Sequence, residues 1–121
     1  MKFLIDTDPG VDDALAIMMA HAHGEVVGLT IAAGNVGLAH TLGNALKLVE
    51  VIGADTPVFA GCPTPLVAGA EDAGFVHGAD GFGDTGYLPA SRRAMDEHAV
   101  DAILRLSREH IGTLTLVALG P

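Results

Sequence analysis

The chain has 121 residues, close to the usual size of one domain, and half of them are apolar. Its mean hydropathy of +0.44 predicts a buried core and excludes a disordered segment. Fifteen acidic residues against six basic ones give a formal charge of −9, which argues against binding nucleic acid or an anionic membrane through a basic surface.

Apolar runs separated by turn residues predict alternating strands and helices. The predicted strands are 2–5, 26–33, 57–60 and 113–119, and the predicted helices are about 12–23, 38–52 and 95–110. This β-α-β-α-β-loop-α-β order predicts a mostly parallel, doubly wound α/β sheet of the Rossmann type, forming a single domain over residues 1–121. The first helix is apolar nearly all round, so it is expected to be buried, with Met18 and Met19 in the core.

Residues 61–94 differ from the rest because they are rich in glycine and proline and show little periodicity. Connections of this length are usually functional, so we interpret them as an active-site loop region. Within it, Asp80 and Asp84 are expected to be solvated and Cys62 to be a small buried residue. Asn44 is polar in the middle of the second helix, and the sequence leaves open whether it caps that helix or braces a site.

Four carboxylates fall within eight residues between the first strand and the first helix; they belong to Asp6, Asp8, Asp12 and Asp13. Two like charges about 4 Å apart repel by roughly 4 kcal/mol at an effective dielectric constant of ~20. Carboxylates without cysteine or histidine nearby suit Ca²⁺ or Mg²⁺ and not zinc, so a hard cation is expected here. Alternatively, Asp12 and Asp13 favour the N-terminus of their helix through its dipole.

Three residues follow the predicted ends of different strands: Asp8, Asn35 and Pro121. Ligands of doubly wound sheets bind at the carboxyl ends of the strands, so these residues are expected to meet at one edge. Asn35 could instead be only a turn residue after Gly34.

The segment DTDPGVDDA (residues 6–14) resembles the N-terminal signature of the inosine-uridine-preferring nucleoside hydrolase family. Further segments extend the resemblance; they are GN (34–35), NAL (44–46), GC (61–62), PL (65–66), HGADG (77–81) and LVALGP (116–121). Members of the family are considerably longer, so the similarity covers only their N-terminal part. It implies a nucleoside-hydrolase-like fold and Ca²⁺-dependent hydrolysis of ribonucleosides to free base and ribose, in purine and pyrimidine salvage. It also implies a homodimer or homotetramer for the full-length protein.

The resemblance also implies roles for six residues. Asp8 would ligate Ca²⁺ and act as the base for the attacking water, and Asp13 would bind the same ion. Asp12 and Asn35 would hold ribose hydroxyls, and His77 would contact the substrate from the loop. Asp6 would support the turn from behind.

The single cysteine, the short apolar runs and the two ends of the chain give further expectations about its compartment and its length. Cys62 is the only cysteine, which favours a reducing compartment, and no apolar run reaches the length of a membrane span. The residues before Asp6 are too few for the apolar part of a signal peptide, so a cytoplasmic protein without a membrane partner is expected. The end at Pro121, directly after an apolar run, favours a truncated chain with little or no turnover by itself.

Two other functions remain as alternatives. A haloacid-dehalogenase-type phosphatase also begins with strand-Asp-x-Asp and uses the first aspartate as a nucleophile. That family expects Gly-Thr at positions 9 and 10 and a lysine near the phosphate, and this chain has neither. The second alternative is a non-catalytic fragment that binds a cation weakly. An EF-hand is excluded, because a loop counted from Asp6 has Val11 in place of glycine and Ile17 in place of glutamate.

Overall fold

A computed structural model describes residues 1–69 and 74–121. The strands of this part are β1 (Lys2–Thr7), β2 (Glu25–Ile31), β3 (Val58–Ala60) and β4 (Leu114–Ala118). The helices are α1 (Val11–His23), α2 (Leu38–Ile52), α3 (Gly74–His77) and α4 (Ala99–Glu109). None of the helices within these residues is long and apolar enough to cross a membrane.

The strands form one parallel sheet in the order β3-β2-β1-β4. Leu4 and Ile5 are neighbours on β1, so their side chains point to opposite faces of the sheet. Ile5 belongs to a core with residues of α1 and α2, whereas Leu4 belongs to a second core with α4. Helices therefore cover both faces, which confirms the predicted doubly wound α/β fold.

The central strand β2 is buried along most of its length, as its nearly continuous apolar run predicts. Gly28 in this strand lies directly below α4. A Cβ atom at Gly28 would come within 3.1 Å of side-chain atoms of both Leu106 and Phe59. The absence of a side chain at this position therefore allows α4 to pack closely on the sheet.

Helix α1 is not buried all round, contrary to the prediction. Asp13 and Ile17 are buried, but Leu15 and Met19 are more than 60% exposed and Met18 is also exposed. The helix packs on the sheet and α2 along one side only. Apolar residues on all sides of a helix therefore do not show that every side is buried. Cys62 is likewise exposed and not a buried filler.

Helix α4 begins at Ala99, later than predicted. Met95 pairs with β3 through an N–H donated to the carbonyl oxygen of Val58, and this bridge keeps the chain extended. The His98 ring then caps the helix by accepting a hydrogen bond from Val100 N at 3.2 Å. The apolar residues of this helix predict an inward orientation for Ala99, Val100, Ile103 and Leu104. The buried residues are Ala99, Ala102 and Leu106, whereas Val100 and Leu104 are about half exposed, so the prediction is wrong for these two.

Replacing Leu106 by alanine tests this orientation of α4. Leu106 is 5% exposed, so Leu106→Ala is expected to lower the free energy of unfolding by about 2–4 kcal/mol. Leu104→Ala on the same helix is the matched control and is expected to cost less than about 1 kcal/mol, because Leu104 is 50% exposed. Urea unfolding of the two variants measures both values. An equal loss of unfolding free energy in the two variants would contradict an inward Leu106 and an exposed Leu104.

Candidate active site

The turn between β1 and α1 lies at the carboxyl edge of the sheet, and its residues 8–10 are buried. The side chains of Asn35 and His77 approach this turn closely at Gly10. A Cβ atom there would lie 2.7 Å from Asn35 Nδ2 and 2.8 Å from His77 Nδ1. The lack of a side chain at Gly10 therefore allows two distant polar residues to pack against the acidic turn.

Asp8 and Asn35 are held together by two hydrogen bonds. The backbone N–H of Asn35 donates to Asp8 Oδ2 at 2.6 Å, and Asn35 Nδ2 donates to the main-chain oxygen of Asp8 at 2.8 Å. A Cβ atom at Gly34 would lie 2.2 Å from Asp8 Oδ2 and 3.0 Å from Pro121 Cδ. The three strand-end residues Asp8, Asn35 and Pro121 thus meet at one edge, as expected from the sequence.

Asp13 lies in the first turn of α1 and is only 6% exposed. The Thr7 hydroxyl donates to Asp13 Oδ2 at 3.1 Å. Burial, together with the charge of the Asp8 carboxylate, raises the pKa of Asp13 from 3.8 to about 6. Among the described residues no lysine, arginine or histidine forms an ion pair with either carboxylate. Asp8 and Asp13 therefore form a buried acidic pair without a compensating positive charge.

The other two aspartates of the turn point elsewhere. Asp6 Oδ1 accepts a hydrogen bond from the Thr30 hydroxyl at 2.7 Å, and the residue borders a largely apolar cavity of about 280 Å³. The Asp12 side chain is 78% exposed. The crowding of four carboxylates that the sequence suggests is therefore reduced to one close pair, Asp8 and Asp13.

His77 reaches the acidic turn from the glycine-rich region. It ends the short helix α3, which the sequence did not predict. Its Nδ1 accepts a hydrogen bond from Val11 N at 3.3 Å and lies 3.9 Å from Asp12 Oδ1. Because Nδ1 accepts, the neutral ring carries its proton on Nε2. The structure thus brings His77 and Asp12 together on the solvent side of the turn.

The acidic pair suits a hard cation by its chemistry. Both groups are carboxylates, and a divalent cation between them would offset both the repulsion and the cost of burial. Within residues 1–69 and 74–121, no group of three or more His, Cys, Asp or Glu side chains could hold a metal ion. The described residues thus include two neighbouring carboxylates whose chemistry suits a hard cation, but not a complete set of ligands for one.

Four supporting residues carry contacts that sequence reasoning missed. Thr7 donates to Asp13, Gly34 leaves room for Asp8, and Asn44 and Tyr87 bond to each other. Two signals were available: the threonine between two aspartates, whose hydroxyl can donate to a carboxylate, and the polar Asn44 in the middle of a helix. The open question about Asn44 is resolved in favour of a brace, since its amide bonds to the carbonyl oxygens of Pro9 and Asp80.

The sequence suggested that Asp80 is solvated, but its carboxylate is hydrogen-bonded within the loop. Its Oδ1 accepts hydrogen bonds from Phe82 N at 2.8 Å and Asp84 N at 3.0 Å. The first of these bonds contributes most to lowering the pKa of the Asp80 carboxyl below its usual value. Asp84 is exposed, but its Oδ1 accepts a hydrogen bond from Asp80 N at 3.2 Å.

Comparison with known proteins places the chain in a family. Residues 3–121 match the family described as inosine-uridine preferring nucleoside hydrolase. The chain belongs to this family. The sequence is 42% identical over 124 residues to uridine nucleosidase 1 of Arabidopsis thaliana, and 39% identical over 122 residues to a pyrimidine-specific ribonucleoside hydrolase of Escherichia coli O1:K1. These matches cover 99% of the chain but 37% and 39% of the two relatives.

Solved structures of nucleoside hydrolases have the same fold over this length. A purine-preferring ribonucleoside hydrolase from Gardnerella vaginalis matches all of the chain with a TM-score of 0.94 and 32% identity. A plant nucleoside hydrolase matches 99% of it with a TM-score of 0.92 and 42% identity. The chain spans about 40% of the length of these proteins.

The uncompensated acidic pair predicts a pH dependence of stability without metal. A pKa raised from 3.8 to about 6 means that the stabilising contribution of Asp13 is fully present below 3.8 and is lost as the pH rises through about 6. In the presence of a chelator, the free energy of unfolding of the wild-type chain should therefore fall relative to that of Asp13→Asn across this window, by roughly 3 kcal/mol.

Denaturant unfolding at a series of pH values measures this difference. Asp96→Asn is the control, because Asp96 is exposed and should retain the wild-type slope. Parallel curves for wild type and Asp13→Asn would contradict the electrostatic description of the pair.

Proposed function

We propose that the full-length protein containing this chain hydrolyses the N-glycosidic bond of ribonucleosides to free base and ribose. The observation that carries the proposal is the buried pair of Asp8 and Asp13 beside Asn35, at the ligand-binding edge of a nucleoside hydrolase fold. Relatives of the chain are named for uridine, pyrimidine or purine nucleosides. We therefore propose the substrate class and no preference for a base.

Asp8 and Asp13 are proposed to hold Ca²⁺. Their carboxylates are buried next to each other and supply only oxygen, which suits a hard ion. When bound, the ion supplies positive charge that lowers the pKa of a nearby water and leaves coordination positions for ribose hydroxyls. Thr7 orients Asp13 by donating to its Oδ2.

Asp8 is proposed to accept the proton of the attacking water. The N–H of Asn35 fixes the Asp8 carboxylate through Oδ2, so the orientation of the group is set before substrate binds. The water oxygen bonds to the anomeric carbon as its proton passes to Asp8, and the bond from that carbon to the base nitrogen breaks with its electron pair going to the base. The base takes up one proton from solvent and Asp8 later releases its own proton to solvent, so one water is consumed for each nucleoside. The sugar develops positive charge as this bond breaks, and the clustered carboxylates stabilise that charge.

Asp12, Asn35 and His77 are proposed to bind the ribose. The Asp12 carboxylate is exposed beside His77, so both can contact a ligand that enters from solvent. Asn35 lies next to Asp8, where its side chain can reach a hydroxyl of the same sugar. Asp6 supports the turn from behind through Thr30. On family grounds we also propose a homodimer or homotetramer that acts in cytoplasmic salvage.

The space at Gly34 provides a test of the ion site. Gly34→Ala places a methyl group 2.2 Å from the position of Asp8 Oδ2, so the carboxylate must move. We expect at least a tenfold loss of Ca²⁺ affinity by isothermal titration calorimetry, which corresponds to about 1.4 kcal/mol, because a ligand has been displaced. Gly37→Ala is the matched control, because a Cβ atom there meets nothing within 4 Å. Equal Ca²⁺ affinity in both variants would contradict a role for Asp8 as a ligand.

Substitution of Asp8 tests the reaction itself. In the full-length protein, Asp8→Ala should lower kcat for inosine and uridine by at least about a hundredfold, because the proton acceptor is lost. Release of free base, followed by chromatography, measures the rate, and circular dichroism checks that the variant is folded. Exhaustive chelation should abolish the wild-type activity, and added Ca²⁺ should restore it. Full activity in Asp8→Ala, or after chelation, would contradict the mechanism.

A further inference from the structure

Asn44 is a buried polar side chain that the proposed chemistry does not use. It lies in the middle of α2 with 0% exposure, so its amide must find partners inside the protein. Its Nδ2 donates to the carbonyl oxygens of Pro9 at 3.0 Å and Asp80 at 2.8 Å, and its Oδ1 accepts from the Tyr87 hydroxyl. Because both carbonyl oxygens can only accept, these partners fix the orientation of the amide.

The segment of residues 77–84, here called the glycine loop, is folded on itself. Gly83 N donates to the His77 carbonyl oxygen at 2.7 Å, and Gly81 N donates to that of Gly78 at 3.1 Å. The Asp80 side chain accepts two further N–H groups of the same loop. Since these bonds join both ends of the loop, holding the carbonyl group of Asp80 also holds His77.

The glycine loop approaches Asn44 closely. Gly81 has a φ of 85°, and a Cβ atom there would lie 3.0 Å from Asn44 Nδ2 and 3.0 Å from Val36 Cγ2. Phe82, the next residue, packs on the larger core, with its ring 5.8 Å from the ring of Tyr87. The loop is therefore fitted against α2 at the position of Asn44.

The acidic turn is contacted from two sides. Asn44 binds the carbonyl oxygen of Pro9 from the interior, and His77 accepts the N–H of Val11 at 3.3 Å from the outer side. A buried hydrogen bond is costly to break, whereas an exposed one exchanges readily with water. The position of His77 over the turn therefore depends on the buried contact more than on its own.

We propose that Asn44, supported by Tyr87, is a positioning residue that fixes the glycine loop on the acidic turn and so places His77 beside Asp12. Asn44 touches neither substrate nor ion and acts through His77. The proposal rests on the proposed function in one respect, namely that His77 contacts the ribonucleoside.

Hydrogen exchange of the 121-residue chain tests the positioning independently of activity. Asn44→Ala removes both donors, so the amides of Phe82, Gly83 and Asp84 are expected to exchange about tenfold faster. Tyr87→Phe removes one hydroxyl and should give a smaller increase at the same amides; it serves if Asn44→Ala does not fold. Thr56→Val is the matched control, because Thr56 is a buried residue bonded to His21, far from the loop. Unchanged exchange in the folded variants would overturn the proposal.

A double-mutant cycle in the full-length protein tests the route through His77. Asn44→Ala and His77→Ala are each expected to lower kcat/KM for inosine and uridine about tenfold, and the double variant should lose little more than either. Additive losses, or no loss in His77→Ala, would overturn the proposal. If the wild-type protein hydrolyses neither nucleoside, the proposed function fails, but the exchange experiment still decides whether Asn44 holds the loop.

Discussion

The burial of two carboxylates against each other is the constraint on which the site depends. Asp8 and Asp13 are at most 6% exposed, and neither forms an ion pair with the described residues. Hydrogen bonds from Thr7 and Asn35 supply partial positive charge, which offsets only part of the cost. The remainder is visible in the raised pKa of Asp13. The arrangement therefore lowers the stability of the fold unless a positive charge offsets the pair.

The topology explains why residues far apart in sequence meet at this pair. Parallel strands all end at the same edge, so the turn after β1 and the turn after β2 lie side by side. Helix α1 starts at that edge and carries Asp13 in its first turn. Helix α2 lies on the same face of the sheet, and its side chain at position 44 reaches the turn from below. The sheet order therefore sets the geometry, and the side chains supply the chemistry.

Much of the fold and of the acidic site could be predicted from the sequence, because both depend on patterns along the chain. The apolar run of β2 predicts its burial, and the ends of the strands predict that Asp8, Asn35 and Pro121 meet at one edge of the sheet. The prediction that Val100 and Leu104 face inward was wrong. The side of a helix that faces inward depends on the elements packed against it and not on its composition alone. The contacts of Asn44 were unpredictable for another reason: its acceptors are main-chain carbonyl groups, which any residue at positions 9 and 80 would offer.

Different interactions determine the stability of the acidic pair and the position of the glycine loop. Both the pair and the loop are connected to residues 9–11. The free energy of the pair depends on the repulsion and burial of its charges, whereas the loop takes its position from α2, whose inner face belongs to the main core. Asp8 lies directly before Pro9, whose carbonyl oxygen binds Asn44, and Val11 donates to His77. The packing of α2 in the core therefore affects the position of the acidic turn through the side-chain amide of Asn44. A change in the core that rotates Asn44 would shift the turn and the loop together, although neither the carboxylates nor the histidine had been altered.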